Sequence, residues 1–154
     1  LKGLTVAILG DIRHSRVAKS NLFGLRKMGA TVKMFAPRTL MPTDIDKMGA
    51  VVCRSREEAV EGADVVMGLR IQLERQHGGN FPSLGEYAKF YGVNEEVMKY
   101  AKPNALVMHP GPVNRGVELT SGLIDGDTSR IEEQVLSGIA VRMAILFLLT
   151  KEEI

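Results

Sequence analysis

The chain has 154 residues, 45% of them hydrophobic and 25% charged, a balance typical of one soluble globular domain. A chain of this length can bury a full hydrophobic core without disulfides or bound metals. The single cysteine, Cys53, excludes an internal disulfide framework. The longest apolar run, 139–149, contains Arg142 and is shorter than the ~20 residues that a membrane span needs. No signal-peptide pattern opens the sequence, so we expect a cytoplasmic protein that enters no membrane.

The net charge of +2 is unevenly distributed. Residues 1–40 hold eight Lys or Arg and one acid, Asp11, whereas the rest of the chain has twelve basic and seventeen acidic residues. A local positive excess beside an acidic body indicates a site for anions. Nucleic acid is the other interpretation, but no aromatic platform or nucleic-acid motif accompanies the charge, and we expect none to bind.

Apolar runs predict five strands in chain order. They cover residues 4–9, 31–36, 50–53, 64–67 and 105–108. Between and after them, helices are predicted from about Val17 to Gly29 and over 41–48, 57–60, 94–100 and 131–149. This alternation implies an α/β fold, a three-layer, doubly wound, Rossmann-like parallel sheet of four to five strands, with residues 1–154 as a single domain.

The last predicted helix is apolar on nearly every side from Ile139 onward. A helix of that kind should be buried, although it lies at the end of the chain. It is either central to this core or packs against something outside this chain.

Ligands of open parallel sheets bind beyond the carboxyl ends of the strands. Three of the predicted ends carry polar segments, 10–16, 69–76 and 109–116, which the sheet should bring into one crevice. In the first loop, Arg13 and Arg16 stand at a helix start with Ser15 as the predicted N-cap. A helix N-terminus favours anions, and a guanidinium matches a carboxylate with two hydrogen bonds. A surface arginine pair without a ligand is the alternative, but cations at this end of a helix are unfavourable unless an anion is present.

The second loop alternates Arg70, Gln72 and Glu74 with apolar residues, so the three side chains can share one side of an extended segment. Arg70 is a candidate to hold a second carboxylate, Gln72 to donate a hydrogen bond, and Glu74 to orient an arginine. A solvent-exposed edge with a structural Arg–Glu pair is an equally weighted alternative. The Gly-rich residues 76–82 suit either a loop that closes over a ligand or an ordinary surface excursion.

In the third loop, Pro110 and Pro112 flank Gly111. Two prolines fix the backbone and remove two N–H donors, which leaves carbonyl oxygens available to an amide or amine. A merely rigid turn is the alternative. His109 is a candidate general base, although a histidine before such a turn is more often structural.

Three segments together resemble the aspartate domain of aspartate carbamoyltransferases in order and spacing. They are DIRHSRVAKSN (11–21), RIQLER (70–75) and HPGPVNRGVE (109–118), and the resemblance runs from residue 4 into the final helix. It implies transfer of a carbamoyl group from carbamoyl phosphate to the amine of L-aspartate, an early step of pyrimidine synthesis. It also implies homotrimers with active sites between subunits, and no cofactor or metal is expected.

By position, the resemblance gives Arg16 the α-carboxylate of L-aspartate. It gives Arg70, assisted by Gln72, the side-chain carboxylate, and Glu74 would orient Arg70.

The backbone of Gly111 and Pro112 would hold the carbamoyl amide, and their peptide bond is a candidate for the cis form. No catalytic nucleophile is assigned, because the departing phosphate can accept the proton, while positioning and charge stabilisation supply most of the catalysis.

One part of the family pattern does not occur in this sequence. No segment matches the Ser-Thr-Arg-Thr-Arg phosphate loop of the carbamoyl phosphate domain that opens complete subunits. We therefore expect this chain to hold half of an active site, to bind carbamoyl phosphate poorly and to turn over negligibly alone. In the family, the final helix packs on that other domain.

There are three alternatives to this interpretation. Ornithine carbamoyltransferase shares the fold, but its turn resembles His-Cys-Leu-Pro, and two arginines favour a dicarboxylate, so we reject ornithine. A nucleotide-binding Rossmann domain is disfavoured because Gly10-Asp11-Ile12 lacks the G-x-G-x-x-G spacing. A non-catalytic binding or assembly module remains open.

Overall fold

A five-stranded parallel sheet forms the centre of the molecule, for which the computed structural model describes residues 1–71 and 83–150. The strands are β1 (Thr5–Leu9), β2 (Thr31–Phe35), β3 (Val51–Val52), β4 (Val65–Gly68) and β5 (Leu106–Met108), in the spatial order β3-β2-β1-β4-β5. Every neighbouring pair is parallel. The predicted fold class is confirmed, and each predicted strand agrees within one residue at either end.

Helices cover both faces of this sheet. They are α1 (Arg16–Lys27), α2 (Arg56–Val60), α3 (Leu84–Phe90), α4 (Glu95–Met98), α5 (Ser121–Ile124) and α6 (Ile131–Thr150), with a 3-10 turn at Arg38–Leu40. Alternate residues of a strand pack on opposite faces of the sheet: Ile8 packs in the core on one face, and Ala7 and Leu9 pack in the core on the other. The three-layer arrangement therefore follows from continuously apolar strands.

The N-cap prediction for α1 is confirmed. The Ser15 hydroxyl accepts a hydrogen bond from the Ala18 N–H at 3.1 Å. This bond satisfies one of the donors that the first turn of a helix leaves free.

The predicted helix over 41–48 is wrong, and turns occupy this segment instead. Asp44 has φ 67°, which no helical residue can adopt. The N–H groups of Lys47 and Gly49 bond to carbonyls only three residues back, at Asp44 and Asp46. Two short helices, α3 and α5, were not predicted, because seven and four residues give too little apolar periodicity.

Helix α6 lies outside the core of the described chain. Ile131 is its one buried residue, and large apolar side chains such as Leu136, Phe147 and Leu149 are exposed. With 20 residues it is long and apolar enough, by length and composition, to cross a bilayer. The prediction that no segment is long enough rested on the shorter apolar run 139–149. A single helix of this kind is weak support for a membrane span, because core helices of soluble proteins meet the same criteria. Of the two expectations for this helix, the structure favours packing against something outside the chain.

Candidate substrate-binding site

The three polar loops leave the sheet at one edge, as the sequence predicted. β1, β4 and β5 are neighbours, with Leu9 level with Gly68 and Met67 level with Met108. The loop after β4 starts directly against β1, because the Leu69 N–H donates to the Leu9 carbonyl at 2.7 Å. The carboxyl ends of three adjacent parallel strands thus form one surface, the usual position of a ligand in this fold.

Gly10 allows the first two loops to approach each other. Its φ is 133°, and a Cβ built there would lie 2.4 Å from the Leu69 carbonyl oxygen, a backbone atom that cannot move aside alone. Glycine is therefore required both for the conformation and for the space.

We expect Gly10→Ala to lower the free energy of unfolding by about 2–3 kcal/mol, because it adds both backbone strain and a clash. Urea unfolding of the purified chain measures this loss. Gly24→Ala is the matched control: Gly24 lies within α1 with no atom near its Cβ position. That change should leave stability unchanged or raise it by up to about 1 kcal/mol. Equal stability of the two variants would contradict the requirement for glycine at position 10.

The two arginines of the first loop lie in different surroundings. The Arg13 guanidinium donates to the Thr39 carbonyl at 3.3 Å, and the Arg13 N–H donates to the Leu40 carbonyl at 2.8 Å, so Arg13 fastens the loop to the 3-10 turn. Arg16 is exposed as the first residue of α1, whose first turn contains no acid. Arg16 therefore stands at the helix start, where the sequence predicted an anion.

Asp11 shapes the same loop, a role that the sequence analysis did not assign. Its side chain is fully buried, accepts the His14 N–H at 3.1 Å and pairs with His14 Nδ1 at 2.9 Å. An aspartate that bonds to the backbone shortly after itself is a common loop-forming device, and this was the available sequence signal.

The second loop brings Arg70 next to the third. Arg70 is half-buried between the fully buried Leu69 and Ile71. Its positive charge acts on His109, the first residue after β5, and contributes to lowering the pKa of that imidazole. Arg70 and the proline turn are therefore electrostatic neighbours. The predicted Gln72 and Glu74 lie outside the described residues, and their roles stay predictions.

The third loop forms a tight turn at Gly111 and Pro112. The Gly111–Pro112 peptide bond is cis, as the resemblance suggested. Gly111 has φ 72°, in the region that favours glycine, and its N–H donates to His109 Nδ1 at 2.9 Å. Among residues 1–71 and 83–150, the nearest atom to a Cβ built on Gly111 is Val135 Cγ2 of α6, at 3.4 Å.

Glu118 ties the second loop to the third. Its buried carboxylate accepts the Ile71 N–H at 2.7 Å, the Asn114 N–H at 2.9 Å and the Asn114 side-chain amide at 2.7 Å. Burial raises the pKa of Glu118, and these hydrogen bonds oppose the rise. Glu118 lies within one of the segments that carry the family resemblance, but no role was predicted for it. An acid between the apolar residues Val117 and Leu119 was the available signal.

Burial of His109 makes stability depend on pH. Desolvation, followed by the charge of Arg70, lowers its pKa from 6.5 to about 4. Below pH 6.5 the unfolded chain takes up a proton that the folded chain refuses, so stability should fall from pH 6.5 to about 4. Unfolding titrations should show a loss of up to about 3 kcal/mol from this group. His109→Asn should remove that component; an unchanged pH profile in this variant would contradict it.

A separate cleft of about 610 Å³ lies at the ends of β2 and β3. Arg38, Arg54, Phe35 and Tyr91 are among its lining residues. It lies on the other side of β1 from the β4–β5 loops, so it is not the place where the sequence predicted a ligand.

Solved structures of carbamoyltransferases share this architecture. Ornithine carbamoyltransferase from Thermus thermophilus superimposes with a TM-score of 0.82 at 25% identity, over 98% of this chain and 50% of that one. The enzyme from Pyrococcus furiosus gives 0.78 at 27% identity, over 96% and 50% of the two chains. The fold is thus that of a carbamoyltransferase domain.

Residues 2–149 match the family model described as aspartate/ornithine carbamoyltransferase, Asp/Orn binding domain, and the chain belongs to this family. Curated relatives named aspartate carbamoyltransferase catalytic subunit are much closer in sequence. The relative from Caldanaerobacter subterraneus is 61% identical over 96% of this chain, and that from Ruminiclostridium cellulolyticum is 59% identical over all of it. The chain spans about half the length of these relatives, 49% in both cases. This membership sets aside the nucleotide-binding alternative.

Proposed function

We propose that this chain is the aspartate-binding half of an aspartate carbamoyltransferase, which transfers the carbamoyl group of carbamoyl phosphate to L-aspartate and forms N-carbamoyl-L-aspartate. The observation that carries the proposal is the shared edge of the sheet, where Arg16 begins α1, Arg70 follows β4, and the charge of Arg70 acts on His109 at the start of the proline turn. Relatives at about 60% identity bear the aspartate name, whereas the ornithine enzymes among the solved structures are 22–27% identical. This difference favours aspartate as the amino acid.

The chemistry requires recognition of a small dianion. Arg16 is proposed to bind the α-carboxylate, and Arg70, with Gln72, the side-chain carboxylate, since a guanidinium matches a carboxylate with two parallel hydrogen bonds. Glu74 is proposed to orient Arg70. The Arg16 side chain is exposed at the start of α1, where a carboxylate can reach it.

The turn is proposed to hold the other reactant. Backbone carbonyls of Gly111 and Pro112 would accept hydrogen bonds from the carbamoyl amide and present its carbon to the amine of L-aspartate. The amine nitrogen attacks that carbon, the bond from carbon to phosphate oxygen breaks, and the departing phosphate takes the amine proton. Positioning of the two reactants and stabilisation of the developing charge then supply the rate, without a protein nucleophile.

The phosphate group of carbamoyl phosphate is proposed to bind residues of the relatives' other half. Helix α6 supports this division, because its apolar side chains are exposed on the described chain and would be covered by a second domain. A non-catalytic assembly module would use the same helix but would not need Arg16 and Arg70 to bind aspartate. A homotrimer and a cytoplasmic location accompany the proposal.

Reconstitution tests the proposed function. The chain is mixed with the half of the Caldanaerobacter subterraneus relative that it does not match, and N-carbamoyl-L-aspartate is measured by mass spectrometry. We expect product from this reconstituted enzyme and negligible product from either part alone. Ornithine in place of aspartate should give none. Absence of product from a mixture that forms a stable complex would contradict the proposal.

A further inference from the structure

His109 is placed where it can control the turn but not where it can exchange protons with a substrate. The imidazole is fully buried directly after β5, and its Nδ1 accepts the Gly111 N–H at 2.9 Å. An acceptor at Nδ1 means that the neutral ring carries its proton at Nε2. Within residues 1–71 and 83–150, Nε2 is enclosed and has no hydrogen-bond partner. The candidate role of general base that the sequence allowed does not fit this geometry.

The ring is held on several sides. A Cβ built on Gly68, the last residue of β4, would lie 3.2 Å from His109 Cδ2 and 3.1 Å from Leu119 Cγ, so this glycine makes room for the imidazole. The His109 N–H donates to Gln134 Oε1 at 2.9 Å, and Gln134 belongs to α6. His109 therefore connects α6 to the turn through two hydrogen bonds: its backbone N–H donates to Gln134, and its side chain accepts from the Gly111 N–H.

We infer that His109 is a positioning residue, fixed as the Nε2–H tautomer, through which Gln134 of α6 sets the direction of the carbonyl groups in the Gly111–Pro112 turn. This inference rests on the proposed function, in which those carbonyls hold the carbamoyl amide. Loss of the Nδ1 acceptor would leave the Gly111 N–H without its partner and free the turn to rotate. Catalysis by positioning is sensitive to shifts of about 1 Å, so a loosened turn lowers the rate even when binding survives.

The electrostatic surroundings keep the ring neutral. Among residues 1–71 and 83–150, Arg70 is the charged group that acts on it, while Gln134, Val135, Gly68 and Leu119, contributed by the neighbouring elements, carry no charge. Burial and Arg70 both lower the pKa of His109, to about 4. Protonation at Nδ1 would abolish the bond to Gly111, so a low pKa preserves the turn at neutral pH.

The first test needs no activity. Nitrogen-15 NMR of the 154-residue chain should show His109 Nδ1 unprotonated and Nε2 protonated, with no titration between pH 8 and about 5. Protonation at Nδ1, or titration near 6.5, would overturn the inference whatever the protein's function.

The second test compares two variants in the reconstituted enzyme. Asparagine can place its Oδ1 where Nδ1 lies and accept the Gly111 N–H, whereas alanine cannot; both remove the ring and its packing. We expect His109→Ala to lower kcat about 10- to 100-fold, with KM for L-aspartate changed less than about threefold, and His109→Asn to retain kcat within about threefold. Thermal unfolding should show that both variants lose stability.

The outcomes separate the two proposals. An inactive wild-type reconstituted enzyme overturns the proposed function and the catalytic part of this inference with it. An active wild type with equal kcat losses in the asparagine and alanine variants, or with no loss in either, overturns the positioning role alone.

Discussion

Arg70→Ala is expected to weaken binding of L-aspartate to the reconstituted enzyme by about 100-fold or more. The guanidinium is half-buried beside the turn, so a carboxylate bound there is partly desolvated and loses charge-assisted hydrogen bonds when the arginine is removed. About 3 kcal/mol of lost interaction corresponds to this factor. Steady-state KM for L-aspartate and calorimetry with succinate, a dicarboxylate without the amine, both measure it.

The control for this prediction is Arg115→Ala. Arg115 follows Pro112 in the third loop, but its guanidinium makes two hydrogen bonds to Asp125, at 2.7 and 2.8 Å. Removing this exposed pair should change aspartate binding less than about threefold. Arg70→Lys keeps the charge but not the planar fork and should still lose most of the affinity. Wild-type affinity in Arg70→Ala would remove Arg70 from the site.

Glu118→Ala is expected to lower the free energy of unfolding by about 3–5 kcal/mol. The substitution leaves three donors without their acceptor: the N–H groups of Ile71 and Asn114 and the side-chain amide of Asn114. Each buried donor without an acceptor costs about 1–3 kcal/mol. Since Ile71 follows Arg70, the second loop should also lose its fixed position relative to the third. Urea unfolding measures the stability loss, and slower amide exchange at Ile71 in the wild type than in the variant reports the loop.

Glu118→Gln separates the carboxylate from the shape of the side chain. Its oxygen can still accept from Ile71 and the Asn114 amide, but its NH₂ group would face the Asn114 N–H, so an intermediate loss is expected. Glu61→Ala, which removes an exposed carboxylate, should change stability by no more than about 0.5 kcal/mol. If Glu118→Ala and Glu61→Ala were equally stable, the buried carboxylate would not hold the loops together.

The central strands β1 and β4 could be predicted because they are buried on both faces. Runs such as Val6 to Leu9 and Val65 to Met67 are continuously apolar, which is the pattern of parallel strands covered by two helical layers. The N-cap at Ser15 was equally accessible, because its hydrogen bond spans three residues. Both features depend on residues that are close together in the sequence, so they can be predicted from it.

The contacts that join the loops could not be predicted in the same way. The bond from Glu118 to Ile71 spans 47 residues and that from Gln134 to His109 spans 25, so their partners are set by tertiary packing. The turn at Asp44 likewise depends on one backbone conformation that cannot be predicted from the spacing of apolar residues. Arg16, Arg70 and the proline turn were found through residue type and loop position; their convergence on one ligand remains a prediction.

Calorimetric titration with a bisubstrate phosphonate analogue, which joins the carbamoyl and aspartate moieties in one molecule, tests the central claim most directly. The analogue should bind tightly when this chain is combined with the half of its relatives that it does not match, and weakly to the chain alone. Replacement of either Arg16 or Arg70 by alanine should cost at least about tenfold in affinity. Undiminished binding after both arginines are replaced would show that the ligand does not lie between these two strand ends.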